Sequence, residues 1–174
     1  QPAGTGSKAG GMVVSNTDAA PAAAGLWPRV RSAYCWAATA ANKFQWLGLL
    51  AARILVARVF FLSGMTKWNG LTIREDTYYL FADEYFSKYA LPSTLTNAFA
   101  VASAIGEIAL PVLLVLGFMT RAAALGLLAM TLVIQIFVYP DAWWNVHAWW
   151  SAVLVLIIVF GPGPGSVDRR IGLD

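Results

Sequence analysis

The chain has 174 residues, of which 59% are hydrophobic, 13% aromatic and only 12% charged, a balance outside the usual range of water-soluble domains. Its formal charge of +3 and pI near 9.2 are those of some nucleic-acid binders, but the basic residues flank apolar runs and form no patch interleaved with aromatics. A single cysteine, Cys35, excludes an internal disulfide, and no spacing of Cys or His has the form of a metal site.

Residues 1 to about 25 are rich in Ala and Gly without a periodic apolar face, so in isolation they are expected to be disordered. Asn16, Thr17, Asp18 and Pro21 interrupt any apolar run that a secretory signal would need. A segment that cannot bury itself becomes ordered mainly by lying on something else, so residues 1 to 46 are expected to bind a neighbouring subunit. Between 26 and 46, Trp27, Trp36, Phe44 and Trp46 mix with Arg29, Arg31 and Lys43. A helix at a membrane surface has this composition, because rings settle at headgroup level and cations meet anionic lipid; a helix docking on a partner subunit is the alternative.

Four apolar stretches follow, at about 47–68, 98–118, 121–139 and 144–161, each near the ~20 residues that span a hydrocarbon core. Lipid offers no partner to an unpaired amide, and the runs are too long for barrel strands, so helices are expected, with Pro111 bending the second. The predicted fold is an all-α integral membrane four-helix bundle with an amphipathic periplasmic segment and an extended N-terminal tail. Its expected domains are 1–46 (tail and interfacial helix), 47–165 (transmembrane) and 166–174 (C-terminal tail). In the amphipathic segment Leu80, Phe81, Tyr85, Tyr89 and Leu91 fall roughly on one helical face.

Orientation follows from Lys and Arg in the flanking segments. Lys8, Arg29, Arg31, Lys43, Arg121, Arg169 and Arg170 lie on one side, against Lys67, Arg74 and Lys88 on the other, so both termini are expected in the cytoplasm. Trp68, Tyr139, Trp143, Trp144, Trp149 and Trp150 would then form an aromatic belt at the outer interface.

Ionisable groups inside a bilayer cost several kcal/mol unless paired or hydrated. Arg53 shares a helical face with Ala57, Phe60, Gly64 and Lys67, and Glu107 sits near the middle of the second stretch above Ala100, Ser103 and Ala104. A pair between Glu107 and Arg53, or Arg58, is the economical expectation. Either it fixes helix register, or the polar pocket around it is open to a quinone headgroup, a proton or another ligand. His147, the sole histidine, is read as a hydrogen-bonded residue near the outer interface, with a ligand contact as the alternative.

Arg53, Phe60, Ser63, Gly64 and Lys67, then Glu107, Gly117, Thr120 and Arg121, then GPGPGSVD at 161–168, resemble in order the motifs of the DoxX family of small bacterial membrane proteins. WWNVHAWW at 143–150 resembles the aromatic and His segment many members carry. The resemblance covers roughly residues 47 to 170; Leu110 and Pro111 stand where the family usually has small glycines, and the tail 1–46 has no counterpart. It implies a multi-pass protein of the bacterial cytoplasmic (inner) membrane. More loosely, it implies a place in quinone-linked oxidoreductase assemblies, since the family takes its name from a subunit of a quinone-reducing thiosulfate oxidation system.

Two functional readings follow. In one, the chain is an accessory subunit that anchors or stabilises a larger redox or electron-transfer complex through its tail and aromatic surfaces. In the other, it is a quinone-interacting subunit whose candidate ligand pocket holds Arg53, Lys67, Glu107 and His147. A metabolite carrier is weakened by the lack of an internal repeat. No catalytic motif is present, no covalent cofactor is expected, quinone and bound lipids are the candidate small molecules, and nucleic acid is not an expected partner.

Overall fold

The computed structural model describes residues 25–173. Expectations for residues 1–24 lie outside the described residues. Two units divide the chain at 42/43. The first contributes helix α1 (Leu26–Lys43), none of whose residues is buried, with Trp27, Tyr34 and Trp36 exposed.

The second unit contains four helices long and apolar enough to cross a membrane: Gln45–Met65, Ser93–Leu116, Thr120–Val138 and Pro140–Phe160. The first is α2 (Gln45–Met65) and the second α4 (Ser93–Leu116). The third is α5 (Thr120–Val133) extended by a π turn, Ile134–Val138. The fourth runs from a short 3-10 turn through a second π turn, Trp143–His147, into α6 (Ala148–Phe160). Their outward faces are large exposed hydrophobics such as Leu55, Leu116, Ile136 and Val159, as lipid requires. The all-α membrane bundle is therefore as the composition predicts.

Close helix approach explains the packing. A Cβ on Gly64 would lie 2.9 Å from Glu107 Cβ and 3.0 Å from its backbone carbon, so α2 and α4 meet nearly backbone to backbone there. A Cβ on Gly126 of α5 would lie 2.8 Å from Leu110 Cδ1, which shows how Leu110 fits where a smaller residue was expected. Pro111 is buried inside α4 without ending it. Having no N–H, it gives the Glu107 carbonyl no amide four residues on.

The connection from α2 to α4 departs from a single amphipathic helix. A two-residue hairpin, β1 (Trp68–Asn69) with β2 (Thr72–Ile73), turns through Gly70 at φ 62° into a five-residue helix α3 (Glu75–Tyr79). A π turn, Leu80–Tyr85, and a 3-10 turn, Ser87–Tyr89, follow. Phe81 and Phe86 are buried, with Tyr85 and Leu91 packed on them, whereas Tyr89 is exposed. Breaking the one helix into short pieces brings Phe86 into the apolar contact, while Tyr89 still meets the Phe86 and Phe137 rings at 6.5 and 5.2 Å.

Residues 166–173 do not form a separate tail. The short helix α7 (Val167–Ile171) docks through Asp168, whose amide donates to the Gly117 carbonyl at 2.8 Å.

Candidate functional site

Where α2 ends, the Lys67 amide bonds the Gly64 carbonyl and prolongs the last turn. The Lys67 side chain thereby reaches Glu107, and its Nζ lies 2.6 Å from Glu107 Oε2. The other carboxylate oxygen accepts from Ser103 Oγ at 2.9 Å, and Lys67 also donates to Ser63 Oγ at 3.3 Å. Trp68 Nε1 ties the end of α2 to the Ala104 carbonyl at 3.1 Å. The cluster is thus an ion pair with further hydrogen bonds on both members, the form in which a buried charge is tolerable.

This corrects the expected pairing, because Glu107 pairs with Lys67 and not with Arg53 or Arg58. The helix register is the reason. Gly64 faces Glu107, and Arg53, although on the same buried face, is eleven residues back, about 16 Å along the axis. Arg53 lies beside Gly117 and Ser166, on which a Cβ at Gly117 would come within 2.5 Å of Arg53 Nη1. Asp168 is the carboxylate of that end, accepting from the Met119 and Thr120 amides at 2.7 and 2.8 Å. Burial alone would raise its pKa, but those amide hydrogen bonds and the charge of Arg53 hold it below the ordinary carboxylate value. Arg53 therefore lies at the opposite end, by the α4–α5 turn and α7, where its charge acts on Asp168 while its buried Nε and Nη1 have no hydrogen-bond partner among the described residues. Arg58 is exposed.

Lys67 and Glu107 border a cavity of about 490 Å³ that also contacts Phe60, Tyr85, Tyr139, His147 and Trp150. All three π turns contribute to its wall, through Phe81 and Tyr85, Ile134 and Val138, and Val146 and His147. Such turns commonly mark functional sites, since the extra residue re-aims side chains. Phe60 and Trp150 meet edge to face at 5.5 Å, and the His147 ring stands 5.2 Å from Trp150. Burial, then the neighbouring Tyr139, raises the pKa of Tyr85, which keeps its phenol a proton donor.

His147 is held by Gln135, whose Oε1 lies 2.6 Å from Nδ1 and whose Nε2 lies 2.5 Å from the Pro140 carbonyl. A carbonyl only accepts, so the Gln135 amide group faces Pro140 and its oxygen faces the ring. Nδ1 then carries a proton, which in the neutral form of the ring leaves Nε2 as an acceptor. Of the four expected site residues the structure brings together Lys67, Glu107 and His147 around one cavity and leaves Arg53 outside it. Gln135 and Tyr85 were missed; an amide within the third apolar stretch was the available signal for the former.

The arrangement offers a charged donor at Lys67, a phenol donor at Tyr85 and an acceptor at His147 in an otherwise aromatic and aliphatic wall. Among the described residues no group of His, Cys, Asp and Glu could hold a metal ion. Comparison with curated proteins and with solved structures finds no match. The DoxX family model matches residues 48–140, just over half of the chain, a stretch that includes Lys67, Glu107, Tyr85 and Gln135. The chain belongs to the DoxX family of membrane proteins.

Proposed function

We propose that the chain is a quinone-interacting membrane subunit of an oxidoreductase, with the quinone ring in the cavity bordered by Lys67, Glu107 and His147. The observation that carries this reading is an apolar cavity of about 490 Å³ with a few polar groups along its wall. That is the size and chemistry of a site for a small ligand with an apolar body and polar oxygens. A quinone carbonyl would accept from Lys67 or Tyr85, and a hydroxyl of the reduced form would donate to His147 Nε2. Electrons would come from a partner protein.

The accessory role is the second reading, supported by α1. Its Leu26, Trp27, Tyr34 and Trp36 are exposed beside Arg29 and Arg31, as a helix lying on lipid or on another subunit requires. The two roles are compatible in one protein.

The test is titration of the purified chain in lipid nanodiscs with a short-tailed benzoquinone, read by quenching of tryptophan fluorescence. A saturable component is expected, weakened about tenfold in His147→Ala and in the Lys67→Met, Glu107→Met double variant, from the magnitude of a hydrogen bond to a buried group. Quenching that rises linearly and identically in all three proteins is partitioning into lipid, and would remove the quinone reading.

A further inference from the structure

Arg58 is the feature the bundle does not use. Among the described residues it has no ion pair or hydrogen bond, and it is exposed on α2. Every other charged residue inside the four spans is either buried, as Arg53 and Glu107 are, or within two residues of a span end, as Arg121 and Asp141 are. Around Arg58 the same helix shows Leu47, Ile54, Leu62 and Met65, exposed at spacings of three, four and seven residues. The result is an apolar helical stripe with one cation in it.

Depth decides what can satisfy that cation. Arg58 is seven residues from Met65 and thirteen from Gln45, about 10 Å and about 20 Å along the axis. Helical Cα–Cβ bonds lean toward the N-terminus, so the side chain starts toward the farther end, away from the nearer headgroups. Snorkelling to a lipid phosphate is correspondingly poor. A second copy packed by α2 across a two-fold axis at this level would set Arg58 against Arg58, which like charges forbid.

We propose that this face of α2 docks a transmembrane helix of a different protein, one that carries a carboxylate at the depth of Arg58. The partner supplies the missing charge, and Leu47, Ile54 and Leu62 supply van der Waals contact. The surface is independent of the cavity and stands whether or not the cavity binds quinone.

The experiment uses the full chain, donor-labelled at Cys35, its single cysteine, which is exposed. It is reconstituted in phosphatidylcholine vesicles with an acceptor-labelled Leu/Ala host helix carrying one Glu at the matching depth. Energy transfer above that of random mixing is expected. Association should be roughly tenfold weaker with the all-apolar host or with Arg58→Leu, the range found for polar contacts between membrane helices. Arg58→Lys should retain most of it, and Arg58→Glu should recover it with a host bearing Arg. Equal association of Glu and apolar hosts, or an unchanged signal in an Arg58→Leu chain of unaltered helix content, overturns the proposal. So does Arg58-dependent retention of phosphatidylglycerol, or Arg58-dependent transfer between two copies of the chain, without recognition of the Glu host.

Discussion

Glu107 is held by two donors, Lys67 Nζ at 2.6 Å and Ser103 Oγ at 2.9 Å, with 4% of its own side chain exposed. Neither charge of the pair has water enough to replace its partner. Glu107→Leu should cost about 3 kcal/mol, because it strands a buried ammonium, and Glu107→Gln should be milder because it still accepts a hydrogen bond. Thermal unfolding in mild detergent checks this, and equal midpoints for both variants and the parent would place Glu107 in contact with water or headgroups. The cost of an intramembrane carboxylate singled out Glu107 in the sequence. Its partner was not legible, since Arg53, Arg58 and Lys67 all have the right sign and only the register of α2 against α4 chooses among them. The lock of Asp168 on the Met119 and Thr120 amides was equally hidden. A carboxylate in a polar ending reads as solvated until the chain folds back on itself.

Register at the scale of elements comes from glycines. Gly64 permits α2 to approach α4 at Glu107, and the same approach places Lys67 Nζ within reach of the carboxylate. Gly64→Ala therefore has two expected consequences. One is a loss of about 1–3 kcal/mol, because the neighbour is backbone as well as side chain and cannot turn away. The other is a longer Lys67–Glu107 separation, so that Glu107→Leu costs less in the Gly64→Ala background than in the parent. A double-mutant cycle on unfolding midpoints measures this, and strictly additive effects would show that Gly64 does not set the pair. The four spans were legible because hydropathy over twenty residues is insensitive to detail; the predicted 98–118 and 144–161 begin at Ser93 and Pro140. Those starts were missed because polar Thr94, Thr96 and Asn97, and the Pro140–Ala142 turn, lower hydropathy without breaking the helix. The π turns were not legible at all. Widening one turn changes no residue type; at the first of them Phe81 and Phe86 are buried with Tyr85 packed on them, contacts that only the folded chain makes.

For the whole molecule, an even number of spans sets both ends of the bundle on one side, and the contacts agree. A Cβ on Gly163, just past the last span, would lie 3.3 Å from Leu49 near the start of the first, and one on Gly161 would lie 3.1 Å from Arg121 in the α4–α5 turn. Which side this is follows from charge. In the sequence, four Lys and Arg precede the first span, one lies in the α4–α5 turn and two follow the last span, seven in all, against three in the other two connections, where five carboxylates accompany them. Basic flanks resist translocation, so the seven-charge side should be cytoplasmic. The cavity, whose wall includes Lys67, Tyr85 and Tyr139, would then lie toward the periplasmic half. Fusing a reporter active only in the cytoplasm to Asp174, and one active only outside it to the Gly70 turn, tests this. Activity of both is expected. Silence of both would invert the bundle and move the cavity to the cytoplasmic half. Replacing Arg121 and Arg170 by Gln should then weaken the preference without altering the four spans, because on this account orientation is carried by the flanking charges and folding by the apolar spans.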